Sequence, residues 1–409
     1  MLPSDIDTQI QQRTQGESDR RRVAYITFVA CLIFWVFVFA DSGWGPIITP
    51  LSTRLHISLA AAGLLYVAWS TGYLPGALIG GAMLDRYGPR LVFFVAALIV
   101  FSGLTTIYLG LLLHFVSLPG LLMIAGFAGM GGGIVDASTN GLISGLFVSR
   151  RGTALNLFNL LYPLGGVVVA LVDAGLLTLF HNDPLPSFIF TICFICLAMF
   201  ALPAVPGKYM VEEKAMHHHE DAPRQNMLSL LVVLVPVIAA MALTSGISSS
   251  VRTWTPAYLN VAYGQTPAIA AALSSLTWAL STFSRLGAAI LIVRIGAWRM
   301  VMLGVVVALC GLVAMLFSPT AFLGTIATAL TSIGLSPIFA TFLTIGSERT
   351  GRSPGAVAGI LLFTSGISTV FCGWCFGFLL NTGGPAWAII FCIVFVCSGG
   401  LLALRLRPR

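Results

Sequence analysis

The stretch Gly81-Ala82-Met83-Leu84-Asp85-Arg86-Tyr87-Gly88-Pro89-Arg90 places a dense set of charges between two long apolar runs. One run covers about residues 58–83 and the other about residues 91–115, and each is long enough to cross the hydrocarbon core of a bilayer. The stretch therefore predicts a short charged loop between two membrane-spanning helices.

The composition of the whole chain is that of a membrane protein. Hydrophobic residues make up 57% of the chain and charged residues 9%, and the mean hydropathy is +0.96. A soluble domain carries about 25% charged residues. At roughly 20 residues per span, 409 residues accommodate about a dozen spans. We count twelve apolar runs, at about 23–48, 58–83, 91–115, 118–146, 153–180, 187–206, 227–258, 267–293, 299–318, 320–346, 354–380 and 384–406.

Two polar segments divide the chain. Residues 1–22 lack the apolar core of a signal peptide and predict a flexible cytoplasmic tail. Residues 207–226 predict a linker between a six-helix bundle at 23–206 and a second at 227–406. The linker contains three adjacent histidines, His217 to His219, which lack the spacing of a dedicated metal site. We therefore predict an all-α membrane protein of two six-helix bundles and no metal.

The distribution of positive charge indicates topology and not nucleic-acid binding. The net charge is +7, and all of the 21 Lys and Arg residues except Arg54, Arg252 and Arg285 fall on one side of the predicted spans. By the positive-inside rule, both termini and the linker are cytoplasmic. We expect a multi-pass protein of the cell inner or plasma membrane that acts as a monomer in the lipid bilayer.

Five ionisable residues fall inside the predicted spans. Each costs at least ~2.5–3.5 kcal/mol at the bilayer centre unless it faces a cavity or a partner, so each is a functional candidate. They are Asp41, Asp136, Asp173, Arg252 and Arg285. Counting from the predicted helix ends places Asp136 and Arg285 toward the cytoplasm and the other three in the outer half.

Asp136 is the leading candidate for proton coupling. Asn140 lies one helical turn after it, and Gly129, Gly132 and Gly133 lie one to two turns before it, so this face of the fourth run is small and polar. An acid on such a face lines the cavity and alternates between its protonated and charged forms. The alternative is a permanently protonated acid bonded to a neighbouring helix.

Other polar residues predict the substrate site. Asn159 and Tyr162 in the fifth run and Trp278 in the eighth suit hydrogen bonding and stacking with a polar solute. A broader apolar pocket for drugs or lipids is the alternative, and it would be lined by aromatic residues, namely Trp44, Phe158, Trp278, Phe363 and Trp374.

Arg252 stays charged and needs a counter-ion, water or an anionic substrate. Asp41 and Asp173 are predicted at a similar depth, and Asp41 is also a second candidate for proton coupling. We predict an outer gate in which Arg252 pairs with one of these two acids when the outer ends of the spans are closed. The alternative places Arg252 at the level of the lipid headgroups.

The charged loop resembles the loop between the second and third helices of major facilitator superfamily transporters. The resemblance implies a cytoplasmic gate in which Asp85, Arg86 and Arg90 take part when the transporter is open to the outside.

Several further motifs resemble the fucose permease branch of this superfamily. They are Gly45-Pro46, Gly131-x-x-x-x-Asp136-x-x-x-Asn140, Trp254-x-Pro256-x-Tyr258-Leu259 and Gly334-Leu335-Ser336-Pro337-Ile338-Phe339-Ala340-Thr341. The resemblance implies sugar uptake coupled to a proton or sodium ion, with Asp136 acting in coupling. The chain has Ser248 where many members carry an acid and adds Arg252 where a small residue is usual, and these departures favour a substrate with some negative charge.

The chain contains neither a phosphate-binding Gly-Lys-Ser/Thr loop nor an HExxH motif, which argues against an enzyme and an ATP-driven pump. We therefore predict a secondary transporter of a small polar solute, such as a sugar or organic anion, that is driven by a proton or sodium gradient and needs no cofactor. A proton-coupled exporter of amphipathic compounds, a channel and a transporter-like scaffold are the alternatives.

Overall fold

The computed structural model describes residues 3–147, 150–204, 227–350 and 354–407, and the predicted linker at 207–226, with its three histidines, lies outside them. The described chain is helical throughout. In chain order the helices are α1 (Pro3–Ser42), α2 (Trp44–Leu55), α3 (Leu59–Tyr87), α4 (Pro89–Leu113), α5 (Leu118–Leu146), α6 (Arg151–Asn159), α7 (Leu161–Leu179), α8 (Leu185–Phe200), α9 (Met227–Tyr263), α10 (Pro267–Ile295), α11 (Ala297–Phe317), α12 (Ala321–Leu335), α13 (Ile338–Thr350), α14 (Pro354–Thr382) and α15 (Pro385–Leu404).

The helices account for all twelve predicted apolar runs. Within the described part of the chain, ten helical segments are long and apolar enough to cross a membrane. The second run forms the 29-residue helix α3, and the sixth forms the shorter apolar helix α8.

Helix α1 begins earlier than the sequence predicts. It starts at Pro3, so most of the segment predicted as a flexible tail continues into the first span as helix, although the apolar part starts only at Arg21. Gln, Glu and Arg are good helix formers, and the segment contains no proline after Pro3 to end the helix.

Three runs are each divided into two helices, and a proline explains each break. Pro46, Pro163 and Pro337 lack the amide N–H that would bond four residues back, and the proline ring crowds that carbonyl. The breaks accordingly fall at Gly43, Leu160 and Ser336. The carbonyl that Pro337 leaves free, that of Ile333, accepts a hydrogen bond of 2.6 Å from the hydroxyl of Ser284 on α10.

The two halves of the chain pack against each other along four helix pairs, α2 with α9, α2 with α10, α3 with α14 and α7 with α10. Trp254 of α9 is 1% exposed and is held between Gly63 of α3 and Gly377 of α14, where a larger residue would collide with the indole. Gly166 of α7 likewise makes room for Trp278 of α10. These contacts lie away from the loop at Asp85, so the halves meet near the centre and at the opposite end.

At that opposite end, Arg54 ties three elements of the first half together. Its Nη1 lies 3.1 Å from Oδ1 of Asp183, and its Nη2 donates to the carbonyl of Leu111 at 3.5 Å. Asp183 also accepts the amide of Leu185 at the start of α8. This is the single salt bridge within the ranges that the structure covers.

We expect Arg54→Gln to reduce the free energy of unfolding by about 1 kcal/mol or less, because a partly exposed ion pair contributes little. Transport should be unchanged. A thermal melt of the purified protein measures the change in stability, and an uptake assay measures transport. A large loss of stability or of transport would contradict the prediction. Asp183→Asn should reduce the free energy of unfolding by more, since it also weakens the hydrogen bond to the amide of Leu185 at the start of α8.

Candidate functional site

Asp136 on α5 is held by neutral hydrogen-bond donors from two helices. The hydroxyl of Tyr73 on α3 donates to Oδ2, and the amide of Asn140 donates to Oδ1 at 2.7 Å. Asn140 in turn accepts a hydrogen bond of 2.9 Å from Asn159 on α6. Asp136 is partly exposed, as are Asn140 and Asn159. The structure thus brings three predicted residues together as one hydrogen-bonded chain.

Asp41 forms a second network nearby. It lies in the last turn of α1, just before the break at Gly43. The indole N–H of Trp69 donates to its Oδ1 at 2.8 Å, and the hydroxyl of Tyr162 donates to its Oδ2 at 2.7 Å. The ring of Phe37 stacks between Tyr73 and Tyr162, with centroid distances of 5.6 and 6.0 Å. The two acids therefore belong to adjoining networks on the first half of the chain.

The second half contributes Arg252 and Trp278 to the same region. The ring of Tyr162 packs edge-on against Trp278 at a centroid distance of 5.6 Å. The guanidinium carbon of Arg252 lies 5.4 Å from the centroid of Trp278 and 6.0 Å from that of Tyr162. Both distances are within the range of cation–π attraction. The predicted substrate residues of the two halves therefore meet where the halves face each other.

The contacts of Arg252 distinguish between the two positions that the sequence leaves open. Its contacts with Tyr162 and Trp278 place it in the interior with the other site residues and not at the headgroup level.

The predicted ion pair of Arg252 with Asp41 or Asp173 is not formed among the residues that the structure describes. Asp173 lies eleven residues after Tyr162 on α7, which is about 16 Å along the helix axis. It is 3% exposed and lies near Gly43 and Ser187, in a small cavity of ≈ 20 Å³ between the first helices and α8. Asp41 is the nearer acid, but it forms no ion pair with Arg252 within 4.0 Å.

The residues of the predicted cytoplasmic gate are exposed. Asp85, Arg86 and Arg90 all lie at the surface, at the junction of α3 and α4. The guanidinium of Arg86 lies over the ring of the adjacent Tyr87 at 5.2 Å. None of the three takes part in a salt bridge with any residue that the structure describes. The pairing across helix ends that the resemblance implies is therefore not formed in this conformation.

Two important residues of the site, Tyr73 and Trp69, are not among the sequence predictions. Both lie in the second apolar run, where an aromatic residue is usually packing. The available signal was their spacing of four residues, which places both polar tips on one face of α3.

Most of the aromatic residues that would line an alternative amphipathic pocket are packed into the core. Trp44, Phe158 and Trp278 are at most 5% exposed. Phe363 and Trp374 are about half exposed on α14, where they lie on one helix and not around a common space with the other three. This arrangement favours the polar site.

The comparison with known families agrees with this architecture. Residues 30–371, most of the chain, match the model of the Major Facilitator Superfamily. The chain belongs to the Major Facilitator Superfamily. It is therefore a multi-pass plasma-membrane transporter and not an enzyme, and the family fold has twelve membrane-spanning helices.

A relative of known sequence and several solved structures are similar to this chain. The hexuronate transporter of Bacillus subtilis (strain 168) is 34% identical over 117 residues, which are 28% of this chain and only about a quarter (26%) of that transporter. The xylose transporter XylE from E. coli, in a partially occluded inward open conformation, superposes with a TM-score of 0.74 at 15% identity, covering 95% of this chain and 100% of XylE.

The E. coli fucose:proton symporter FucP, in its outward conformation, superposes with a TM-score of 0.63 at 14% identity, covering 94% of this chain and 99% of FucP. The predicted resemblance to this superfamily, with the fucose permease among its similar structures, is confirmed. At these identities the structures establish the fold.

Proposed function

We propose that the protein is a secondary active transporter that couples proton movement to the transport of a small polar solute, such as a sugar or organic anion. The observation that carries this proposal is the carboxyl group of Asp136, a half-buried residue, held by Tyr73 and Asn140 beside the meeting point of the halves. A tyrosine hydroxyl both donates and accepts hydrogen bonds, so Tyr73 can serve Asp136 in its charged and its protonated form.

Asp41 is the second proton-coupling candidate. Its two oxygens accept hydrogen bonds from Trp69 and Tyr162, and Tyr162 also contacts the arginine and tryptophan of the opposite half. A change in the protonation of Asp41 would therefore directly alter the hydrogen bond of Tyr162 at the contact between the halves. The energy source is an ion gradient, with the proton preferred over sodium because both acids are already hydrogen-bonded by neutral donors.

Alternating access is the proposed mechanism, with both termini in the cytoplasm. The positive-inside rule assigns the Asp85 end to the cytoplasm. Close contacts between the halves at the other end and the unpaired gate residues support an inward-facing conformation. The higher TM-score to inward open XylE than to outward FucP supports the same reading. In the outward-facing state, we propose, Asp85, Arg86 and Arg90 pair across the helix ends.

The proposed solute is polar and hydroxylated. Asn140, Asn159 and Tyr162 supply amide and phenol groups, and the buried ring of Trp278 packs against Tyr162 and Arg252 and so positions both. Arg252 favours a solute with negative charge. A hexuronate, the solute named for the Bacillus subtilis relative, is a polar, hydroxylated anion of this kind.

The experiment that tests the proposal is uptake by proteoliposomes under an imposed pH gradient. Solutes are screened as sugars, sugar acids and amphipathic dyes, with and without a protonophore and with sodium replaced by choline. We expect acidification outside to drive accumulation of a polar solute, and the protonophore to abolish it. Accumulation that follows the sodium gradient alone, or that is confined to dyes, would contradict the proposal.

A further inference from the structure

The second half of the chain carries two arginines inside the membrane and no acid to neutralise them. From Met227 onward the sequence contains one acidic residue, Glu348, which lies near the end of α13, close to the membrane surface. Arg252 lies in the middle of α9 and Arg285 in α10. Arginine keeps its charge in proteins, so these two charges need compensation from elsewhere.

Arg252 is held by aromatic faces and not by a carboxylate. Its guanidinium lies over the rings of Trp278 and Tyr162, and its Nε has no hydrogen-bond partner among the described residues. Stacking fixes the plane of the group and leaves the N–H edge available. A carboxylate bound edge-on by two parallel N–H bonds fits such an edge.

Arg285 is fixed separately at the break in the tenth run. Its Nε donates to the hydroxyl of Ser336 at 3.0 Å, and Ser336 in turn donates to the carbonyl of Ser281 at 3.2 Å. Trp278 precedes Arg285 by seven residues, so both lie on one face of α10, about 10 Å apart along the axis. Arg285 is near enough to interact electrostatically with Arg252 and Tyr162.

The acids of the first half form no ion pair with either arginine among the described residues, although Asp41 is near enough to interact electrostatically with Arg252. Asp41 and Asp136 accept hydrogen bonds from neutral groups, and Asp173 lies about 16 Å along α7 from Tyr162. No salt bridge within 4.0 Å joins any of them to an arginine in the part of the chain that the structure covers. In this conformation, a carboxylate that pairs directly with either arginine therefore has to come from the solute.

We propose that Arg252 and Arg285 form a two-point anion site and that the transported solute is a polyhydroxylated dicarboxylate. This inference rests on the proposed transport function and narrows its substrate class. Each planar guanidinium binds one carboxylate through two N–H groups. The two guanidinium groups repel each other, and each is anchored to a different partner, Arg252 to Trp278 and Arg285 to Ser336. Both positive charges are therefore compensated when each guanidinium binds a carboxylate of its own.

A binding measurement tests this without any ion gradient. The purified full-length protein is titrated with galactose, galacturonate and galactarate, a series that adds one carboxylate at a time, with glucarate as a second diacid. Binding is followed by calorimetry and by the fluorescence of tryptophan, because Trp278 lies in the site. We expect each added carboxylate to strengthen binding by about 10-fold or more.

Variants of the two arginines show whether each arginine binds one carboxylate of the solute. Arg285→Gln should bind the diacid about as weakly as the parent protein binds the monoacid. Arg285→Lys should retain part of the preference for the diacid, because lysine keeps the positive charge but lacks the two parallel N–H donors of the guanidinium. Arg252→Gln should have a similar effect. Arg54→Gln, which removes an arginine far from the site, is the matched control and should leave the order of affinities unchanged.

The outcomes separate this inference from the proposed function. Equal affinity for monoacid and diacid, no binding of either diacid, or a preference for the diacid that survives Arg285→Gln would overturn the two-point site, even if a pH gradient drives uptake of another polar solute. Tight binding of the diacid together with uptake that ignores the pH gradient would keep the two-point site and refute proton coupling.

Discussion

Replacing Asp136 with asparagine is expected to abolish accumulation driven by a pH gradient and to leave exchange of solute across the membrane. Asparagine keeps the size and hydrogen-bonding capacity of the side chain but carries no proton that it can release. Tyr73 and Asn140 can still bond to it, so the site retains its shape. Uptake by the variant should stop at the equilibrium level and should not respond to external pH, whereas counterflow exchange should continue.

The matched control for this variant is Asp173→Asn. Asp173 is also an acid inside a span, but it lies outside both hydrogen-bond networks. Its replacement should leave the dependence on the pH gradient unchanged. If Asp136→Asn still accumulates solute against a gradient, or if it loses exchange and accumulation together while remaining folded, the coupling role assigned to Asp136 is wrong.

The overall architecture could be predicted from the sequence because each membrane-spanning helix is indicated by some twenty apolar residues together and not by a single position. Twelve apolar runs and the charged stretch at Asp85 were enough to indicate the superfamily. The breaks at Gly43, Leu160 and Ser336 were not predicted, because each run is long and apolar enough overall to indicate one continuous span. Their signal was the proline three or one residues later, and prolines also occur inside unbroken helices here, as Pro75 does in α3.

The site could be predicted only in part, because helical periodicity relates residues on one helix and not on different helices. The spacing of Asp136 and Asn140 correctly placed them on one face, and their side chains are hydrogen-bonded. The partner from α3, Tyr73, could not be found in this way. Asp41 and Asp173 looked equivalent by depth, yet only Asp41 faces the opposite half, since depth does not specify direction around the helix axis.

Replacing Gly76 with alanine is expected to destabilise the fold and disturb the site together. Helices α3 and α5 pack with their backbones in contact: a β-carbon on Gly76 would collide with the carbonyl of Met130, and one on Gly133 with that of Tyr73. Small residues allow this close approach in membranes. An added methyl group must push the helices apart, which typically costs 1–3 kcal/mol, and the separation would also lengthen the contact between Tyr73 and Asp136.

The same helix supplies the control. Gly81 also lies in α3, but a β-carbon there meets no atom within 4 Å, so Gly81→Ala should be neutral or slightly stabilising, because alanine is the better helix former. The midpoint of thermal unfolding in detergent should fall by several degrees for Gly76→Ala and further for Gly76→Leu, but not for Gly81→Ala. Equal midpoints for the two alanine variants would mean that α3 and α5 are not in backbone contact. Because Tyr73 reaches Asp136 only across that contact, such a result would also remove the structural basis for the proton-coupling network.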